Sequence, residues 1–306
     1  MATRIQFFKT PRPGALSAKP MLAGPRRAMA QRGVTLIELM VGIAIGLLVV
    51  AVSMAALMVS RGVSGTVSDA SGMQQQAAYA LRVIGLQLRQ SGSLYLNLNP
   101  TSAIAANSSA APVAFETKAE SVNKGNTFDP VTNAILGTAS PTTLSVGYRR
   151  YKEPVYSSAD EQSLARNCLG GPANASTDQR VESVFQLSGS QLQCQGNGST
   201  PQTLAQNVAS FQVRYSLQDN TTLGKPKIQY VAATNVDNWG KVQAVEICLE
   251  IYGNETVEMP AGSTYVNCNG TAVDMTALAA PRTRRMHLTF RSVYQLRSQG
   301  LVGTVL

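Results

Sequence analysis

From Val34 to Val59 the chain is apolar at every position except Thr35, Glu38 and Ser53. A helix over this run is roughly 39 Å long at about 1.5 Å per residue, enough to cross a bilayer with some tilt. The pattern predicts a transmembrane or assembly helix over residues 34–60, ended by the polar break Ser60-Arg61-Gly62. Beyond the break Met73, Ala77, Ala80, Leu81, Ile84 and Leu88 recur at spacings of three and four, with Gln74, Gln75, Arg82, Gln87 and Arg89 off the stripe. Ser91-Gly92 stops that pattern. Together the two stretches read as one long helix from about 34 to 91, loosened near Gly62, Gly65 and Gly72. Its amphipathic half, residues 61–92, is expected to pack against a globular head.

Residues 93–142 are rich in Ser, Thr, Ala, Asn and Pro and read as loop or irregular structure. From Thr143 onward β signals dominate. Thr143–Tyr151, Val208–Leu217, Ile228–Ala232, Lys241–Tyr252 and Arg285–Leu296 are predicted strands, and Ser183–Leu187 and Gln191–Cys194 a hairpin across Ser188-Gly189-Ser190. Phe211, Val213 and Tyr215 alternate with Gln212, Arg214 and Ser216, and Met286, Leu288 and Phe290 with His287, Thr289 and Arg291, as in half-buried strands. Asn254–Leu278 is polar and reads as a long insertion between two strands. The expected class is α+β, a long N-terminal helix packed on an antiparallel β-sheet head that spans 93–306.

Composition changes this picture in two places. The formal charge of +9 on 306 residues suggests a nucleic-acid partner, but its distribution removes that reading. Residues 1–33 hold Arg4, Lys9, Arg12, Lys19, Arg26, Arg27 and Arg32 and no acid, which leaves 19 basic against 17 acidic groups, a net +2. The leading charges set topology instead, keeping the N-terminus in the cytoplasm and sending the head across the membrane. Met29 would start a short basic leader, and residues 1–28, with Pro11, Pro13, Pro20 and Pro25, read as unstructured or untranslated. The second change comes from Cys168, Cys194, Cys248 and Cys268, which all follow the apolar run and so fall in an oxidising compartment. Three connectivities exist, and Cys168 with Cys194 and Cys248 with Cys268 is the expected one, since each pair staples one local excursion. Zinc is the alternative, disfavoured because no C-x-x-C pair occurs.

Glu38 is the anomaly inside the apolar run. A lone ionised group there costs about 2.5–3.5 kcal/mol on insertion scales, so it needs a partner or a purpose. Gln31-Arg32-Gly33-Val34-Thr35-Leu36-Ile37-Glu38-Leu39-Met40-Val41 resembles the class III signal of type IV pilins and type II secretion pseudopilins. The resemblance implies cleavage by a prepilin peptidase between Gly33 and Val34, N-methylation of Val34, and Glu38 as the carboxylate that pairs with a neighbour's terminal amine. Val34 departs from the Phe most common there. A Sec signal peptide cut near Ala51-Val52-Ser53 or a plain signal anchor are the competing readings; the first fails on length and the second leaves Glu38 unexplained. Gly42-Ile43-Ala44-Ile45-Gly46 is a G-x-x-x-G pattern, either a helix-packing face or the ordinary glycine content of a membrane helix.

Further segments resemble the large minor pilins of the PilW kind. These are Gln76–Leu81 through Leu88–Gly92 at the helix end, Leu204–Tyr215, Trp239–Leu249, and Arg284–Phe290 through Leu296-Arg297. That family often has a cysteine soon after the helix stop, where Ser93-Leu94-Tyr95 stands here.

No constellation for catalysis is present in the sequence. His287 is the single histidine and is expected to face solvent from its alternating strand. That leaves no base for a nucleophile and no histidine metal cluster. Neither a phosphate-binding glycine loop nor an EF-hand loop occurs, so no cofactor is expected. Asp160-Glu161 and Glu246 with Glu250 are the nearest to carboxylate pairs, the latter two read as a solvated sheet face. Arg282, Arg284 and Arg285 either meet an acidic partner or form a solvated loop. The resemblance implies a non-enzymatic minor pilin that primes or caps a type IV pilus. Its expected partners are other minor pilins, the major pilin, prepilin peptidase, the inner-membrane assembly platform and a tip adhesin. Its head would wait in the periplasm and end at the pilus tip. The alternatives are the J-position pseudopilin of type II secretion and a membrane-anchored periplasmic binding module that never enters a filament.

Overall fold

The computed structural model describes residues 33–92, 127–129, 132–156, 158–174, 176–219, 225 and 227–296. The chain divides into two compact units, residues 1–56 and 57–306. Helix α1, Leu36–Gln90, contributes to both. It runs through Ser60-Arg61-Gly62, Gly65 and Gly72 as one continuous helix, as the two stretches together predict. A glycine inside a helix costs about 1 kcal/mol, whereas a break leaves several backbone groups without intrahelical partners at each new end.

In the first unit, every described residue from Gly33 to Ala56 is exposed. In the second, the rest of α1 packs on two antiparallel sheets, and eleven strands lie among the described residues. Strands β1 (Ile135–Ala139), β2 (Thr142–Arg149), β3 (Arg180–Ser188), β4 (Gln191–Gly196) and β5 (Gln202–Ala205) form a five-stranded meander in sequence order. Strands β6 (Val208–Asp219), β7 (Lys227–Val231), β8 (Val242–Thr256) and β11 (Arg285–Gln295) form a second sheet in the order β11-β8-β6-β7. Between β8 and β11, β9 (Thr264–Val266) and β10 (Ala272–Asp274) make a small hairpin of their own. The β3–β4 turn is Gly189-Ser190, with Gly189 at φ +59°, as a two-residue hairpin with glycine first requires.

One core joins these layers. The helix stripe Met73, Ala77, Ala80, Ile84 and Leu88 is buried against Ile135, Leu144, Phe185 and Leu192 from the first sheet and Phe211, Tyr215, Val245, Ile247, Leu249 and Ile251 from the second. Close approach is built in at two glycines. At Gly85 a Cβ would run into the Tyr294 ring, whose hydroxyl donates to Leu81 O at 2.7 Å. At Gly137 it would run into the Tyr215 hydroxyl. Burial pushes the Tyr215 phenol above its ordinary pKa, and its ring meets Trp239 edge-on at 4.9 Å.

Four short strands fall where the sequence predicts none. β1 lies inside 93–142, β5 precedes the predicted central strand, and β9–β10 sit in Asn254–Leu278. Each is short and lacks a strong alternation of its own; β1 and β5 become strand by pairing with β2 and β4, and β9 and β10 by pairing with each other.

Ile84→Ala should destabilise the second unit by about 2–5 kcal/mol, since it opens a void under the helix. Val67→Ala, on the exposed side, should change stability by less than about 0.5 kcal/mol. Thermal unfolding of the detergent-solubilised chain compares the two.

Candidate functional site

The start of α1 is built by Thr35. Its carbonyl accepts from Leu39 N at 3.1 Å and its Oγ1 from Glu38 N at 3.3 Å, so Thr35 caps the helix and Glu38 stands three residues on. Thr-x-x-Glu is the spacing of a capping box, and an acid in the first turn also meets the positive end of the helix dipole. Glu38 thus has a local helix role besides the one the resemblance implies, a role the sequence reading did not give it. Gly33, Val34 and Glu38 are all exposed. So is the apolar surface that follows, with Leu36 at 76 % and Met58 at 74 %. A Cβ built at Gly42 or Gly46 meets nothing within 4 Å, which leaves a shallow strip on that surface. The hydroxyl of Ser53 is satisfied within the helix by Val49 O at 2.7 Å, as a bilayer or a helix bundle requires. So large an apolar surface does not stay in water; lipid or other helices must cover it.

The second sheet corrects three expectations. On the face away from the helix, β8 presents Glu246, Cys248, Glu250 and Tyr252, and β11 presents His287, Thr289 and Arg291. That face is covered, and His287 is only 4 % and Glu250 5 % exposed. The cover is the β9–β10 excursion, tied to β8 by the Cys248–Cys268 disulfide with Cα atoms 5.8 Å apart. Glu250 accepts from Cys268 N at 2.7 Å and from the Tyr265 hydroxyl at 3.0 Å. Burial and that bond push the Tyr265 phenol up to about 12. Tyr265 stacks on His287 at 4.6 Å, and the His287 Nδ1 lies 2.8 Å from Arg285 O. The His287 Nε2 is buried with no partner, and burial, aided by Arg282, lowers the imidazole pKa. Glu246 is held by Arg214 at 2.6 Å and Arg291 at 2.8 Å. The arginines expected as one cluster are separated: Arg285 turns inward to Gly253 O at 3.1 Å, while Arg284 is exposed at φ +52°.

A second stapled excursion joins β2 to β3. Cys168 and Cys194 are bonded with Cα atoms 6.5 Å apart. Arg150, 4 % exposed, donates to the carbonyls of Ala173 and Asn174 at 2.8 Å each, and to that of Ser176. A buried guanidinium encircled by carbonyls holds a loop rather than a ligand. Asp160 and Glu161 are both exposed. Among the described residues no group of three or more His, Cys, Asp or Glu is placed to hold a metal ion.

Comparison with known families now bears on both ends of the molecule. Residues 174–298 match the family model described as Type IV Pilus-assembly protein W, and residues 28–54 match the prokaryotic N-terminal methylation motif. Over residues 174–298 the chain is thus similar to the PilW family. That stretch takes in β3 to β11 and the covered face, and the methylation motif takes in Gly33, Val34, Glu38, Gly42 and Gly46. No curated protein matches the chain. Among solved structures, a type IV-like pilin from Thermus thermophilus aligns at 12 % identity and a TM-score of 0.36, over 74 % of this chain and 98 % of that one.

Two outcomes are expected of the cover on the second sheet. Cys248→Ala with Cys268→Ala should lower stability by about 3 kcal/mol for a loop of this length, read by denaturant unfolding. The buried His287 resists a proton, while in an opened state it takes one near its ordinary value of about 6.5. Its contribution is therefore present above that pH and lost as pH falls below it. Between pH 7.5 and 5.5, opening of residues 254–284 should rise by up to about tenfold, measured by hydrogen exchange corrected for intrinsic rate. His287→Phe should flatten that dependence.

Proposed function

We propose that this protein is a minor pilin that primes or caps a type IV pilus. The observation that carries the reading is Glu38 in the first turn of a helix whose apolar run to Ala56 is exposed throughout, five places past Gly33 in a methylation motif. In this reading a prepilin peptidase cuts between Gly33 and Val34 and Val34 is methylated. The helix then holds the protein in the inner membrane, with its head in the periplasm. As it leaves the bilayer for a bundle of pilin helices, Glu38 pairs with the terminal amine of a neighbour. An unpaired buried carboxylate is costly, so that pairing makes entry favourable at one axial position. Gly42 and Gly46 allow close helix contact. A head this large is hard to repeat at every position and is easiest to place at the tip, where nothing lies above it. The expected partners are other minor pilins, the major pilin, the assembly platform and an adhesin at the tip.

Mass spectrometry of protein purified from its native membrane should find a chain that begins at methylated Val34. An intact basic leader would overturn the reading. Glu38→Ala should insert in the membrane normally yet reach the pilus fraction at least about tenfold less, the loss expected when a buried charge pair of more than about 1.4 kcal/mol is removed.

A further inference from the structure

The outward side of α1 within the second unit carries a pattern that its core packing does not use. Met58, Gly65, Gly72, Tyr79 and Leu86 follow at intervals of seven, and Arg61, Ser68, Gln75, Arg82 and Arg89 follow at the same interval three residues later. The first column is apolar or glycine and the second polar or basic, so together they make one narrow seam, not the doubly apolar one of a coiled coil, that heptad spacing keeps turned to a parallel neighbour. Tyr79 is 55 % and Leu86 46 % exposed on the side opposite the buried stripe. A Cβ built at Gly65 or Gly72 meets nothing within 4 Å, so the seam is open to a close neighbour. Arg61, Arg82 and Arg89 form no ion pair among the described residues. The one acid between Glu38 and Gln90 is Asp69, which is turned to Glu255 N at 2.7 Å. At the Arg61 end the seam borders a groove lined by Glu255 and Glu258. Its upper part, Tyr79 to Leu86 with Arg82 and Arg89, is purely basic and apolar.

We infer that this seam receives a helix from a different subunit, parallel to α1 and bearing Asp or Glu at heptad spacing opposite Arg82 and Arg89. A second copy of this chain does not fit. In register, or displaced by one heptad, it brings Arg82 against Arg82 or Arg89, and like charges face to face disfavour the pair. A lipid surface does not fit either, because Arg82 lies 23 residues beyond Val59, roughly 35 Å along the helix and past the headgroups. What remains is an acidic helix, with Tyr79 and Leu86 burying area and the arginines selecting the partner. The parallel orientation rests on the minor-pilin reading; the charge selection does not.

The test uses the full chain in neutral phosphatidylcholine bilayers, with a charge-reversed copy of itself, R82E/R89E, as the acidic probe. Energy transfer between differently labelled copies is measured at about 0.05 M and about 0.5 M salt. The mixed pair should associate at least about fivefold more than wild type with wild type at low salt, and this advantage should vanish at high salt as screening requires. Equal association of the two pairs, or an advantage that salt does not touch, overturns the inference. R82E/R89E must melt at the wild-type temperature, and R82Q/R89Q should pair with wild type to an intermediate extent. Added anionic lipid should leave the mixed-pair advantage unchanged; its loss would make headgroups the occupant and overturn the inference. Charge-selective pairing in a chain that keeps its leader would sink the filament reading alone. A cleaved chain without selectivity would sink the seam alone.

Discussion

Alanines at 77 and 80 bring the backbone of α1 close to the sheets, and Ile84 and Leu88 fill the space that opens further along. That narrow stripe constrains the head. Both sheets direct apolar faces at it, and the large fully buried side chains described, Phe128 and Val181 apart, lie in the resulting layers. Because interiors pack near crystal density, the helix cannot shift along its axis without unseating several of these contacts at once. The Gly85–Tyr294 contact and the bond from Tyr294 to Leu81 O fix the same register from the edge strand β11.

The far face of the second sheet shows how a small domain covers two faces with one helix. The excursion between β8 and β11 folds back over polar residues, so these must be paired rather than solvated. Glu250 satisfies the amide of Cys268 and the hydroxyl of Tyr265, and Glu246 takes two arginines. His287 is the exception, with one ring nitrogen left without a partner. The disulfide at Cys248 fastens this cover near its middle, where the polar side chains are deepest.

The first unit obeys a different solvent. A helix that is apolar all round is stable in lipid or inside a bundle, and a striped helix is stable at the edge of a water-soluble core. In the proposed minor pilin the two requirements meet on one continuous helix, which lets a membrane anchor become a filament core while the head stays folded. The capping contact from Thr35 to Glu38 and the acid's proposed pairing are compatible, since the first uses the Glu38 backbone amide and leaves its carboxylate to others.

The helix, the periodic stripe, the alternating strands and the PilW-like segments were all legible from residue types, because periodicity records which side of an element is buried. The signal at Gly33, Val34 and Glu38 is local in sequence and is read without any fold. Beyond reach were β1, β5 and β9–β10, short strands made by pairing with an adjacent segment rather than by an alternation of their own, and the fates of His287, Glu246 and Glu250. Alternation marks two faces of a strand; it does not say that a polar face will later be roofed by an excursion from the same chain. Sequence alone determined the all-apolar and striped halves of the helix, since each follows from local side-chain chemistry. Only the tertiary structure decided which polar residues left water, because that depends on where a segment some twenty residues away comes to rest.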